Sequence, residues 1–209
     1  MGAKYNRVAG QNLDRLAALS DGLFAVAMTL LVLDLHVPIS AAIHNDRDLA
    51  RALLDVAPRL IPYFMCFLTL GIFWIGQQAQ FNLLTRADRN LAWIHMTFLL
   101  EITLLPFSTA LLAEYLTYRL ALLLYWFNVL LLGATLFAAW RYSQSADLIT
   151  PNTSPQTKTA VDRRIIIAQA LYAIGAALCL INTYWSIAFI FLLQVNYAIA
   201  PRIRILDRL

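Results

Sequence analysis

Six long apolar runs occupy most of the sequence and leave almost nothing between them from which to build a soluble core. They are Leu13–Leu35, Ala57–Phe81, Leu91–Leu112, Leu116–Trp140, Ile165–Ile181 and Tyr184–Ala200. A helix needs about 20 apolar residues to cross a bilayer, so the pattern predicts an all-α membrane protein with six transmembrane helices in a single domain, residues 1–209. Composition agrees: 61% of the 209 residues are hydrophobic and only 13% are charged, against about 25% charged in an ordinary soluble domain. The mean hydropathy is +0.66. The first run is too long for a signal-peptide core, and Asp34-Leu35-His36 stands where a cleavage site would be, so it reads as a retained helix. Cys66 and Cys179 sit singly in apolar runs, with no spacing for a metal or a redox pair. The +4 net charge reads as topology rather than as a footprint for nucleic acid.

The charges set an orientation. With the N-terminus cytoplasmic, that side holds Lys4, Arg7, Arg15, Arg86, Arg89, Arg141, Lys158, Arg163, Arg164, Arg202, Arg204 and Arg208, twelve of the sixteen basic residues. Arg47, Arg51, Arg59 and Arg119 remain on the other. The positive-inside rule then places both termini in the cytoplasm of a multi-pass inner-membrane protein, as an even number of spans requires. The intervening segments read as loops: His36–Leu54, Asn82–Asn90, Ala113–Tyr115, Arg141–Arg164 and the tight Asn182-Thr183. Pro106, inside the third run, is expected to kink that helix, because proline lacks a backbone N–H.

The first run carries the most informative pattern. At 100° per residue, Gly22, Val26, Thr29, Leu30 and Leu33 fall on one stripe roughly 80–100° wide, apolar but for one hydroxyl. Asp21 points about 140° from Val26 by the same arithmetic. A carboxylate inside a span is costly unless paired or hydrated. Arg15, one and a half turns earlier, is the nearest cation in sequence and has the reach to approach it.

Arg15-x-x-x-Leu19-Ser20-Asp21 resembles the Arg-x-x-x-Phe-Ser-Asp signature of the transmembrane protein 175 family of endosomal and lysosomal potassium channels and their prokaryotic relatives. The likeness continues in Phe73-Trp74, in Arg86-x-Asp88, and in Leu104-Leu105-Pro106-Phe107-Ser108-Thr109-Ala110-Leu111-Leu112. The resemblance implies a homotetramer, four six-helix chains around a pore lined by the first helices. It implies that the narrow positions are Val26, Leu30 and Leu33, with Thr29 among them. It also implies that Arg15, Ser20 and Asp21 form a structural polar group pinning the first helix to its neighbours, with Trp74 in support. Two departures stand out: Leu19 replaces the signature phenylalanine, and Gln77-Gln78 stand where many relatives carry histidine.

On that expectation the permeant ion is K+, with no cofactor, and the partners are the bilayer, monovalent cations and other copies of the chain. No Thr-Val-Gly-Tyr-Gly filter occurs, and no arginine repeat suggests voltage sensing. Rings of Val26, Leu30 and Leu33 have almost no hydrogen-bonding capacity and can gate by dewetting. An ion crossing them sheds water, which potassium does more readily than sodium, and Thr29 offers the nearby side-chain oxygen. Moderate potassium selectivity and leak-like conduction follow. The alternatives are a secondary transporter or a proton-permeable channel. An enzyme is disfavoured, since neither G-x-S-x-G nor H-E-x-x-H occurs. Among other polar residues, Glu101 is expected to hydrogen-bond a neighbouring helix. Asn128, Gln169, Asn182, Gln194 and Asn196 are candidates for the same role. His36, His44 and His95 read as interfacial or loop residues, and Trp140 and Tyr142 as interface anchors.

Overall fold

The computed structural model describes residues 12–35 and 43–199. The chain forms α1 (Leu13–Leu30), α2 (Asp46–Phe81), α3 (Arg89–Glu114), α4 (Arg119–Ser145), α5 (Pro155–Ala177) and α6 (Thr183–Ile199). Short 3₁₀ segments, Leu31–Asp34 and Leu178–Leu180, extend α1 and α5. With those extensions, five helices are long and apolar enough to cross a membrane. The sixth, α6, has 17 residues, about 25 Å at 1.5 Å per residue. Lys4, Arg7, His36, Arg202, Arg204 and Arg208 lie outside the described residues.

Side-chain caps set four of the helix starts. Asn12, Asn45, Asp88 and Ser154 each accept a hydrogen bond from the backbone N–H three residues on, at 3.0, 3.0, 2.8 and 3.1 Å. These caps correct two expected boundaries. The segment read as a loop through Leu54 is helical from Asp46, because Asn45 caps α2 well before its apolar part begins. Likewise α5 starts at Pro155 rather than Ile165, with Ser154 as cap and proline in the first turn, where its missing N–H costs nothing. At 36 residues, α2 is about 54 Å long, well beyond the ~30 Å of a hydrocarbon layer. Helix α3 runs unbroken through Pro106.

The core is one apolar cluster drawn from all six helices, with a satellite at one end. Phe24 of α1 meets Phe98 of α3 at 6.1 Å between ring centroids, and Phe98 meets Phe73 of α2 at 6.2 Å. This aromatic ladder seats α1 against α2 and α3. At the satellite end the loop after α2 pairs with the loop after α4: Thr85 N–H donates to the Leu148 carbonyl and Thr150 N–H to that of Leu83, both at 2.9 Å. These two loops therefore share one face of the bundle, as alternating spans require.

Polar side chains stitch the seams. Gln194 Nε2 donates to Thr69 Oγ1 (2.7 Å) and Tyr125 OH (3.0 Å), joining α6, α2 and α4. Asn128 donates to Ser108 Oγ (3.3 Å), Gln169 to the Val129 carbonyl (3.3 Å), and Thr135 to Glu101 Oε1 (2.8 Å). Asn182 instead caps locally, accepting from Tyr184 N–H at 2.8 Å. Two expectations fail here. Trp140 is wholly buried, not an interface anchor, because it faces inward near the tied loops. His95 is also buried, its ring edge-on to Phe81 at 4.6 Å between centroids.

Candidate functional site

Helix α1 divides into two faces. Leu16, Ser20, Phe24, Ala27 and Leu31, spaced at three or four residues, turn inward and are buried. The opposite face is exposed: Val26 at 53%, Leu30 at 48% and Leu33 at 69%, with Gly22 and Thr29 beside them. The stripe read from periodicity is therefore the face that the chain itself leaves uncovered.

Two features shape that face. The Thr29 hydroxyl donates to the Val26 carbonyl at 2.9 Å. Its proton is thus committed to the backbone, and its oxygen lone pairs are left to accept from water or to approach a cation. Beyond Leu30 the winding tightens to a 3₁₀ turn, in which residues three apart eclipse, so Leu33 stacks over Leu30 along the axis. Val32 is 51% exposed as well.

The polar group beside this face takes its partners from α2 rather than from Arg15. Asp21 Oδ1 accepts from the Trp74 indole N–H at 2.7 Å and from Gln78 Nε2 at 2.9 Å. Ser20 is fully buried, donates to the Leu16 carbonyl at 3.0 Å, and accepts from Gln77 Nε2 at 3.1 Å. No ion pair within the chain joins Arg15 to Asp21, and Arg15 is exposed one and a half turns away. The donors that hold α1 are thus the neutral Trp74, Gln77 and Gln78 of α2. Their spacing, i, i+3 and i+4, puts all three on one helical face. That spacing was the available signal for Gln77 and Gln78, which sequence reasoning had noted only as departures from a family pattern.

Asp21 is exposed on the protomer, although it lies in a strongly apolar span. A carboxylate facing hydrocarbon is strongly unfavourable. The surface formed by Asp21, Trp74 and Gln78 is accordingly suited to contact protein or water rather than lipid tails. Among the described residues no group of His, Cys, Asp or Glu is arranged to hold a metal ion.

Comparison with known proteins identifies the family. The sequence profile described as "Endosomal/lysosomal potassium channel TMEM175" matches residues 15–106. A potassium channel of Chamaesiphon minutus is 30% identical over 189 residues, covering 88% of this chain and 93% of that protein. The chain belongs to the TMEM175 family. A potassium channel of Streptomyces collinus is also 30% identical, over 88% of this chain and 90% of its own length. The rat endosomal/lysosomal proton channel TMEM175 is 27% identical, but the chain spans only 39% of it. The crystal structure of a lysosomal potassium-selective channel TMEM175 homolog from Chamaesiphon minutus superposes with a TM-score of 0.79 at 27% identity, covering 91% of this chain and 98% of that one.

These TMEM175 relatives are ion channels, not enzymes. The Arg86-x-Asp88 motif also gains a physical account. Asp88 caps α3 through Oδ1 and accepts the Tyr142 hydroxyl through Oδ2 at 2.6 Å, while Asn90 donates to the same hydroxyl at 3.0 Å. The motif locks α3 to α4 at the end where the two loops pair. Tyr142 is thereby a link between helices.

Proposed function

We propose that this chain is one subunit of a homotetrameric, potassium-selective, leak-like cation channel of the inner membrane. Its six-helix unit, residues 1–209, would present α1 to a central axis. The observation that carries this reading is the uncovered face of α1: Val26, Leu30 and Leu33 exposed around one hydroxyl, on a helix otherwise fixed to α2 and α3. One such stripe cannot enclose a path. Cyclic symmetry brings four of them round an axis and also covers the exposed Asp21 surface. Relatives named as potassium and proton channels both pass cations, which supports the same class.

In this reading the permeant ion meets two apolar levels about 6 Å apart, at Val26 and Leu30, and a third about 6 Å further at Leu33. Such levels empty of water readily, so the barrier is partial dehydration of the ion. Potassium, the larger and less tightly hydrated ion, loses less than sodium. The Thr29 oxygens, with their protons turned to the backbone, offer the replacement ligands between the first two levels. Asp21, Ser20 and Trp74 hold the helix in register without touching the ion.

Single-channel recording of purified protein in planar bilayers tests the reading. A potassium gradient should give a reversal potential close to that of potassium, and unitary currents far above carrier turnover. Leu30→Asn or Leu33→Asn should raise conductance and lower selectivity, because amides hold water through the constriction. Saturating flux at turnover-like rates would instead identify a transporter. A reversal potential that follows the proton gradient would identify a proton channel.

A further inference from the structure

We infer that the outward face of α5 is a binding site for an anionic phospholipid, with Arg163 and Arg164 holding the headgroup phosphate. The burial pattern of α5 is periodic while its composition is not. Arg163, Ile166, Ala170, Ile174 and Ala177 are all exposed, and at 100° per residue they fall within about 80° of one another. Ile166 and Ile174 each expose more than half their surface. A face that is uncovered yet apolar is fitted to acyl chains rather than water. From Ile166 to Ala177 it runs about 17 Å, close to the depth of one leaflet of a ~30 Å hydrocarbon layer.

The charges at the head of this stripe are cationic in balance. Arg163 stands at its top, and Arg164 lies within electrostatic reach of Tyr197 on α6. The adjacent acid, Asp162, is already engaged by Arg141, Nη1 to Oδ2 at 3.4 Å. Two adjacent exposed arginines therefore stand at the head of this face, Arg163 over the leaflet-deep apolar track and Arg164 about 100° round from it on the α6 side, the charge complement of a phosphodiester whose tails follow the track. Arginine suits this partner because its planar fork can hold two phosphate oxygens at once. The inference is independent of which ion the protein conducts.

The test is lipid preference. The protein is reconstituted in nanodiscs of mixed phosphatidylcholine and phosphatidylglycerol, and the lipids retained after release are counted by native mass spectrometry. The natural chain should retain phosphatidylglycerol preferentially. The double substitution R163Q/R164Q should lower that preference by on the order of tenfold or more, each basic residue near a membrane contributing several-fold. R163K/R164K, which keeps the charge, should retain most of it. R47Q/R51Q removes two charges at the far end of α2 and should leave the preference unchanged. Equal retention of both lipids by the natural chain overturns the inference. So does an undiminished preference in R163Q/R164Q, or an equal loss in R47Q/R51Q. Displacement of the lipid by soluble glycerol 3-phosphate at matching concentration would show that the headgroup alone is held, and would also overturn it.

Discussion

The Trp74 indole N–H donates to Asp21 Oδ1 at 2.7 Å across the α1–α2 seam, in a chain where arginine had seemed the natural partner for that carboxylate. The distinction has consequences. An indole is rigid, carries no charge and fixes a direction, so it sets the rotation of α1 about its own axis. Gln78 adds a second donor to the same oxygen, and Gln77 holds the neighbouring Ser20. Rotation of α1 decides which side chains its uncovered face presents.

Replacing Asp21 by alanine should lower the thermal stability of the assembled protein. Two charge-assisted hydrogen bonds would be lost, about 1–3 kcal/mol in all for a partly exposed group. Trp74→Phe should cost about half as much, because Gln78 remains. Thermal unfolding followed by size-exclusion chromatography in detergent measures both. If Asp21→Ala assembles normally but reverses the potassium–sodium preference, Asp21 faces the ion path instead.

Arg15→Ala should cost the protomer under about 0.5 kcal/mol, since Arg15 is exposed and makes no ion pair with Asp21. The same chromatographic assay checks it. A loss as large as that of Asp21→Ala would place the partner of Arg15 in a neighbouring subunit.

Gly133→Ala should loosen the α4–α5 seam. A methyl group at Gly133 would overlap the Gln169 side chain, which lies across that glycine and donates to the Val129 carbonyl at 3.3 Å. Ejecting it forfeits the hydrogen bond and the packing, about 1–3 kcal/mol. The double substitution G133A/Q169A should recover part of the loss, and the coupling appears in a double-mutant cycle of thermal unfolding.

What could be read from the sequence was what depends on local periodicity. The apolar stripe on α1 follows from the helical repeat alone, and it coincides with the uncovered face. What could not be read depends on a second element. Ser20 and Asp21 advertised a need for partners, yet the donors lie more than fifty residues away on α2. Trp74 was expected in support, but charge made Arg15 a more visible choice than the two glutamines. Trp140 looked like an interface anchor because it ends an apolar run, but it turns inward and is wholly buried. The early start of α2 was missed because its first turns are charged, and Asn45 as a cap outweighs that composition.

Cysteine accessibility offers the most direct test of the face assigned to permeation. Cysteines introduced at Val26, Leu30 and Leu33 in the assembled protein should react with a small cationic methanethiosulfonate reagent from the aqueous path, and the reaction should reduce potassium current. The native Cys66 and Cys179 are both buried, so background labelling should be low. Ala27, only 3% exposed and packed against α2 and α3, is the proper control and should stay unlabelled. Val32 is a poor control, because it is half exposed on the protomer. In the proposed tetramer it would lie at the border between the permeation face and the neighbouring subunit, and a cysteine there should label more slowly than one at Leu33. Thr29→Ala should reduce the preference for potassium without altering the labelling rate at Leu30, since it removes an oxygen but leaves the apolar levels in place. Labelling at Ala27 with protection at Val26 and Leu30 would mean that α1 rotates on assembly by about 100° and that the Trp74–Asp21 bond is broken in the channel.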